Sequence, residues 1–315
     1  MRQIHTDLAM EAFQASGQEN LPGVQINQWE ESGVTMTEVM VETEEAAGIL
    51  GKPIGSYLTL EAPMLRERDP DVRIAVSNLL GEEIGRMLAA LGIEKPDGEN
   101  PPILVVGLGN RLITPDSLGP MTVDRVLVTR HILRELPEFA DRRMRSVCAI
   151  APGVLGITGV ETVEMVESLS AKLKPAAVVC VDSLSARSSS RIGIAIQMTD
   201  AGIQPGSGVG NHRRALTKSS LGCEVVAIGM PTVIYAATLA RDAMEYLGGS
   251  EESQQHEQAF ADIERELLQC SMGEMIVTPR EIDSMVEDAA QVIAMGINKA
   301  LQPELSDEEI TTMMD

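Results

Sequence analysis

The stretch Ile103 to Pro120, ILVVGLGNRLITPDSLGP, decides the fold. Its first four residues, Ile103 to Val106, form an unbroken apolar run. That run is too short for a helix and too uniformly hydrophobic for a strand with one wet face, so it reads as a strand covered on both sides. Gly107 and Gly109 follow, where the backbone must bend sharply. An acid, Asp116, then precedes a helix start near Gly119 and Pro120. Strand, glycine turn, acid and helix is the order in which open α/β sheets build sites beyond the carboxyl ends of their strands.

Working outward, comparable segments recur at Val147 to Ala151, Ala176 to Val181, Ile192 to Ile196 and Val225 to Ile228. Stretches of helical periodicity, Met121 to Leu136, Val160 to Leu173 and Val233 to Leu247, lie between several of them. The alternation predicts βαβ units: an α/β fold with a mostly parallel or mixed sheet flanked by helices. Upstream, Val34 to Val41 and Ser56 to Leu60 alternate as two strands of an N-terminal β elaboration. Asp71 to Leu91 is helical, and Gly92 to Pro102 is a breaker. Downstream, Glu251 to Glu274 is polar and holds a loop and a helix. Pro279 to Leu301 is an amphipathic helix with Thr278 as its N-cap. No internal repeat or interdomain linker divides the chain, so a single domain is expected.

The chain of 315 residues carries 47 acidic and 25 basic side chains, a net charge of -22, with only three Phe, three Tyr and one Trp. Such a surface repels phosphate backbones and anionic lipid and has no aromatic platform for bases, so no direct nucleic-acid or membrane partner is expected. No apolar run is long enough to span a bilayer and nothing marks export, which reads as a cytoplasmic protein. Cys148, Cys180, Cys223 and Cys270 have no CxxC spacing and read as buried reduced thiols.

Asp116 and Asp182, the latter closing the run AAVVCVD, are both placed at the carboxyl edge of one sheet. Two carboxyls in one crevice repel, so one keeps a proton while the other stays ionised, the division of labour of aspartic peptidases. The competing reading of Asp116 is a helix cap. Arg187 and Arg191 flank Ser188 to Ser190, ready to pair with a site carboxylate, an acidic substrate residue or the acidic surface. His131 falls within a helix and His212 after a glycine loop, so no serine triad is specified. The tract PGSGVGNHR, Pro205 to Arg213, lacks a nucleotide-loop pattern. Its Gly206, Gly208 and Gly210 allow close backbone approach and offer N–H groups to a substrate oxygen. An open metal site from Asp116, Asp182 and a histidine is the alternative, but no segment has dedicated ligand spacing, so neither metal nor cofactor is expected.

Taken in order, TDLAMEA from Thr6, the Val105 to Pro120 turn, IAPGVLGITGVET from Ile150, VDSLSARSSSRI from Val181, GIQPGSGVGNHR from Gly202, GMPTV from Gly229 and IVTPREID from Ile276 resemble the germination proteases of spore-forming bacteria. The resemblance runs through nearly the whole chain. It implies an endopeptidase of an atypical aspartic family, acting on small acid-soluble spore proteins in the forespore or spore core. Asp116 and Asp182 match the family's proposed catalytic aspartates. Gly107, Gly109, Asn110, Arg187, Arg191, Gly206, Gly208 and Gly210 become substrate-binding or supporting residues. It further implies a self-processing precursor, here cut at Asp7-Leu8, with residues 1–7 as a short propeptide, 8–315 as the peptidase domain, and assembly as a homotetramer. A chain read from Met1 is then the precursor form. Self-cleavage is expected to quicken below neutral pH, with His5 as a competing sensor. The glycine turn with its acid is also similar to hydrogenase maturation endopeptidases, so a nickel-dependent peptidase is the runner-up, and a non-enzymatic ligand-binding α/β module the third reading.

Overall fold

The computed structural model describes residues 6–93, 101–136, 141, 143–206, 214–247 and 275–314. Its strands are β1 (Val24–Glu31), β2 (Val34–Val41), β3 (Gly55–Glu61), β4 (Ile103–Gly107), β5 (Val147–Ile150), β6 (Ala177–Ala186), β7 (Ala195–Thr199), β8 (Glu224–Tyr235) and β9 (Ile276–Val277). The helices are α1 (Ala9–Ala15), α2 (Glu44–Leu50), α3 (Pro70–Ala90), α4 (Leu118–Val123), α5 (Arg130–Glu135), α6 (Leu155–Thr158), α7 (Thr162–Leu173), α8 (Lys218–Leu221), α9 (Ala236–Leu247), α10 (Ile282–Leu301) and α11 (Asp307–Met314).

One mixed sheet runs β1-β2-β3-β7-β8-β6-β4-β5, with β9 on the end of β8. The β5-β4-β6-β8 portion is parallel, and β8 joins antiparallel β7, β3, β2 and β1. Alternation divides the side chains. Val105, Val179, Val181, Ile196 and Met198 pack with α3 and α10 on one face. Leu104, Val106, Val178 and Cys180 pack with α7 and α8 on the other. Coverage on both faces is why these strands read as continuous apolar runs.

The expected mixed α/β sheet with a β elaboration is present, and several boundaries move. Strand β1 escapes sequence reading because Gln25, Asn27, Gln28 and Glu30 face solvent; pairing with β2 makes it a strand. The helix expected over Met121 to Leu136 is two, α4 and α5. Between them Thr129 is drawn to the sheet, its N–H donating to Val147 O (3.1 Å) and its Oγ1 accepting from Val147 N (3.0 Å). Strand β7 begins at Ala195 because Ser189–Arg191 turns as a 3-10 helix. Residues Val233 to Tyr235, expected as helix, continue β8. Thr278 does not cap α10. Its Oγ1 donates to Thr232 O (2.9 Å), and Glu281 stands at the helix N-cap. The Glu251 to Glu274 expectation lies outside the described residues, as does Cys270. Cys180 is buried, and Cys148 and Cys223 are half-buried free thiols.

Helix α4 seats on the end of β4 through backbone contact. A Cβ on Gly119 would overlap the carbonyl oxygens of Leu108 and Val181. Gly119→Ala therefore forces main chain apart, and a loss of about 3 kcal/mol is expected, read as a lower urea midpoint at unchanged slope. A midpoint equal to that of the unmodified protein would contradict this seating.

Candidate active site

Strand β4 stops first. Its last pair with β6 is Gly107 with Val181, whereas β6 continues along β8 from Asp182 opposite Gly229 to Ala186 opposite Ile234. Asp182 thus stands at the first position beyond β4. It is not the strand's last residue, as the sequence had implied, because β8 sustains β6 through a bulge at Leu184 and Ser185. The side chain, only 5% exposed, faces the same side as Cys180. Its Oδ1 accepts from Ser183 N (2.8 Å), and the Gly206 N–H also donates to the carboxylate. Burial, then the charges of Asp116 and Asp7, push the carboxyl well above the ordinary Asp range; the two N–H donors act oppositely and are outweighed.

Asp116 ends the 3-10 turn Thr114–Asp116. The Asn110 N–H donates to Asp116 O (2.8 Å) and Asp116 Oδ2 (2.9 Å), closing the glycine turn around it. Gly109 has φ of 109°, and a Cβ there would overlap Asp116 O, so only glycine fits. Thr232 Oγ1 on β8 donates to Pro115 O (2.7 Å) and holds the turn to the sheet. Ser117 occupies the N-cap position of α4, and the Asp116 side chain turns back to Asn110, so the helix-cap reading is excluded.

The chain's own N-terminal segment lies in this crevice, a cavity of about 390 Å³ lined by Thr6, Asp7, Lys52, Asp182, Gln197 and Gly206 among others. Asp7 N donates to Ser185 O (2.9 Å) and Ser185 N to Asp7 Oδ2 (2.8 Å). Lys52 Nζ donates to the carbonyls of Thr6 and Asp7 (2.9 Å each), and Gln197 Nε2 to Asp7 O (3.0 Å). Gln197 Oε1 accepts from Ala9 N (2.7 Å). Leu8 is fully buried among Leu184, Ala186, Ile192, Ala195 and Ile234. Glu11, 2% exposed, accepts from the backbone of Arg187 (2.5 Å) and Ser188 (2.9 Å) and pairs with Arg191 Nη1 (3.0 Å), while Arg191 Nε reaches Glu61 (2.7 Å).

The expected residues therefore divide. Gly107, Gly109 and Asn110 shape the turn that carries Asp116, and the Gly206 N–H donates to Asp182. Arg191 serves Glu11, neither aspartate nor solvent. Gly208, Gly210, His5 and His212 lie outside the described residues. The serine cluster is structural: Ser189 Oγ donates to Asp242 (2.7 Å) and Ser188 Oγ lies 2.8 Å from Ser190 Oγ. Among the described residues no three His, Cys, Asp or Glu side chains group as a metal-binding set. Lys52, Gln197 and Glu11 were missed. A lone amide within the apolar strand IAIQM was the available signal for Gln197; Lys52, in a turn, offered none.

The raised pKa of Asp182 fixes a stability prediction. The protonated form is the one the fold favours, so its contribution is fully present below the unfolded value near 4 and is lost as pH rises through the folded pKa. Asp182→Asn keeps the acceptor for Ser183 N without the charge. Its melting temperature should exceed that of the unmodified chain at pH 7.5, with the difference vanishing below about pH 4. A destabilised variant at pH 7.5 would contradict the electrostatics described for the crevice.

The profile described as germination protease, peptidase A25, matches residues 2–260 and 250–314. A germination protease of Caldanaerobacter subterraneus subsp. tengcongensis is 41% identical over 325 residues, 99% of this chain and 98% of its own. The germination proteases of Clostridium tetani and Bacillus cereus are each 36% identical, covering 99% and 97% of this chain and 99% and 95% of their own. Among solved structures, the [NiFe] hydrogenase maturation protease HycI from Thermococcus kodakarensis KOD1 aligns with 63% of this chain and 94% of its own, at 18% identity and a TM-score of 0.32. That likeness is too slight to bear on chemistry. The family match, by contrast, spans nearly the whole chain, and the chain belongs to the germination protease family of endopeptidases.

Proposed function

We propose that this chain begins the breakdown of small acid-soluble spore proteins on germination in the spore core, that it is made as a precursor and cuts itself at Asp7-Leu8, and that Asp116 and Asp182 share one proton to activate the attacking water. Family membership supports the peptidase chemistry, and the homotetramer is carried over from the same family. The residue assignment rests on one observation: a buried Asp182 with two backbone donors, its acidity suppressed by burial and by the neighbouring charges of Asp116 and Asp7.

Asp182 then keeps the shared proton, and Asp116 is the base. Water loses a proton to Asp116 as its oxygen bonds to the Asp7 carbonyl carbon. Collapse of the tetrahedral intermediate breaks the C–N bond, and Asp182 protonates the Leu8 nitrogen as it leaves. The contacts along the segment describe the substrate preference of this reading. Ser185 N takes an acid before the bond, an apolar pocket takes the aliphatic residue after it, and Arg191 takes an acid three residues further on.

Purified full-length protein should yield a product beginning at Leu8 by N-terminal sequencing and mass spectrometry. Asp116→Asn and Asp182→Asn should each slow this by about 10³-fold or more, with the double variant no worse than either, because a dyad acts as a unit. Either single variant turning over normally at a matched folded fraction would sink the dyad. Excess chelator should leave the rate unchanged, and restoration of a chelated enzyme by one divalent metal would favour the nickel-dependent reading instead.

Three carboxyls, Asp7, Asp116 and Asp182, interact in the crevice, so acidification supplies the shared proton and relieves repulsion. Self-cleavage should accelerate as pH falls from 7.5 towards about 5 to 6. Retention of that response in His5→Gln assigns it to the carboxyls, and its loss assigns it to the leader. A rate flat across the range contradicts both.

A further inference from the structure

Pairing registers align three positions across neighbouring strands: Asp182 on β6 stands opposite Gly229 on β8, and Gly229 opposite Gln197 on β7. Strand spacing separates Asp182 from Gln197 by about 10 Å of backbone. Both side chains belong to the same sheet face, since Ile196 and Met198 point to the other. Gly229 has no side chain, and Leu184 lies over it: a Cβ there would meet Leu184 Cγ at 2.6 Å and Asp182 O at 2.7 Å. The absence of a Cβ lets Leu184, which packs in one cluster with Leu8, lie close against the sheet between a carboxyl and an amide.

The segment from Thr6 to Ala9 is held over this row by a particular bond. The Gln197 amide donates to Asp7 O and accepts from Ala9 N, so one planar group grips the main chain on both sides of Leu8. The second donor to Asp7 O, Lys52 Nζ, comes from the far wall, where Gly51 in the left-handed conformation ends α2 and turns the chain towards the crevice. Charge accounting also requires an explanation for Lys52. Burial lowers its pKa, opposed by Asp7 and Glu11, and its bonds go to two carbonyl oxygens of this segment.

We infer that Lys52 and Gln197 form an oxyanion hole for peptide cleavage, stabilising the negative charge that develops on the carbonyl oxygen of the residue before the cut. This rests on the Asp7-Leu8 reading. When water adds to the Asp7 carbonyl carbon and its proton passes to the base, the C=O π pair moves onto oxygen. That oxygen is the atom both donors already touch. An ammonium and an amide in a water-poor crevice stabilise the anion far more than the neutral carbonyl, which makes the contact catalytic rather than merely adhesive. As the intermediate collapses the pair returns to carbon, the C–N bond breaks, and the leaving nitrogen takes the proton from the acid. The products are a new carboxyl group and a new amine.

The test uses full-length protein and, in trans, a peptide with the sequence of residues 6–12, Thr-Asp-Leu-Ala-Met-Glu-Ala. In Lys52→Met and Gln197→Met, kcat on the peptide should fall about 100- to 1000-fold each, while KM changes less than about threefold. Lys52→Arg, which keeps a cationic donor, should recover part of the lost kcat. Melting temperature reports folding, and if Lys52→Met fails to fold, Gln197→Met and Lys52→Arg carry the comparison. Unchanged kcat in folded variants, or a loss confined to KM, overturns the oxyanion hole while leaving the cut site standing. If the unmodified enzyme does not cut between Asp and Leu, in the peptide or in itself, the cut-site reading fails and the inference with it. A merely structural role would lower folded fraction and kcat together, with no recovery by arginine at matched folding.

Discussion

Everything at the crevice depends on strands of unequal length. β4 ends at Gly107, while β6 and β8 continue past it, paired with each other through Ala186 and Ile234. The missing neighbour leaves one edge of β6 open where Asp182 stands. The turn after β4 must then fold over that gap, and it does so by backbone contact, Gly107 and Gly119 meeting with no side chains between them. A carboxyl is therefore removed from water without being removed from charge, since Asp116 arrives on the turn and Asp7 on the N-terminal segment.

Three acids in one crevice are costly, and the surrounding contacts show how the cost is limited. Backbone N–H groups from Ser183, Gly206, Ser185 and Asn110 meet the three carboxylates, and Lys52 adds a buried positive charge. Donors from the main chain are fixed by the fold and cannot rotate away, so they favour the ionised form at no further entropic cost. They do not cancel the burial of Asp182, whose proton affinity stays high. The resulting asymmetry, one carboxyl buried and one on a partly exposed turn, is what general acid–base work on a peptide requires.

The N-terminal segment binds through different physics on its two sides. Leu8 contributes full burial in an apolar pocket and Glu11 a buried ion pair with Arg191, both away from the Asp7 carbonyl. Such contacts hold the main chain of the segment in place between them. Arg191 is anchored in turn by Glu61 on β3, which couples the antiparallel elaboration to the parallel sheet through the segment bound between them.

The buried strands, the glycine turn and the long helices α3 and α10 were legible because each follows from local pattern: uninterrupted apolar runs, residues without Cβ, a 3.6-residue period. Asp116 and Asp182 stood out in the sequence as candidate site residues because each is an acid close to a buried apolar run. β1 was not, since its outward residues are polar and only β2 makes it a strand. Nor was the break between α4 and α5, which Thr129 makes by bonding to β5, a strand still ahead of it in the chain. Lys52, Gln197 and Glu11 meet from positions far apart in sequence, and no local spacing records that meeting. What the sequence determined alone was the alternation of elements and the presence of one acid in the turn after β4 and another in the apolar run that forms β6. The tertiary structure decided that β6 outruns β4, that Asp182 is thereby buried, and that the segment at Asp7 enters the gap, because these depend on strand pairing and long-range burial rather than on any residue's neighbours in the chain.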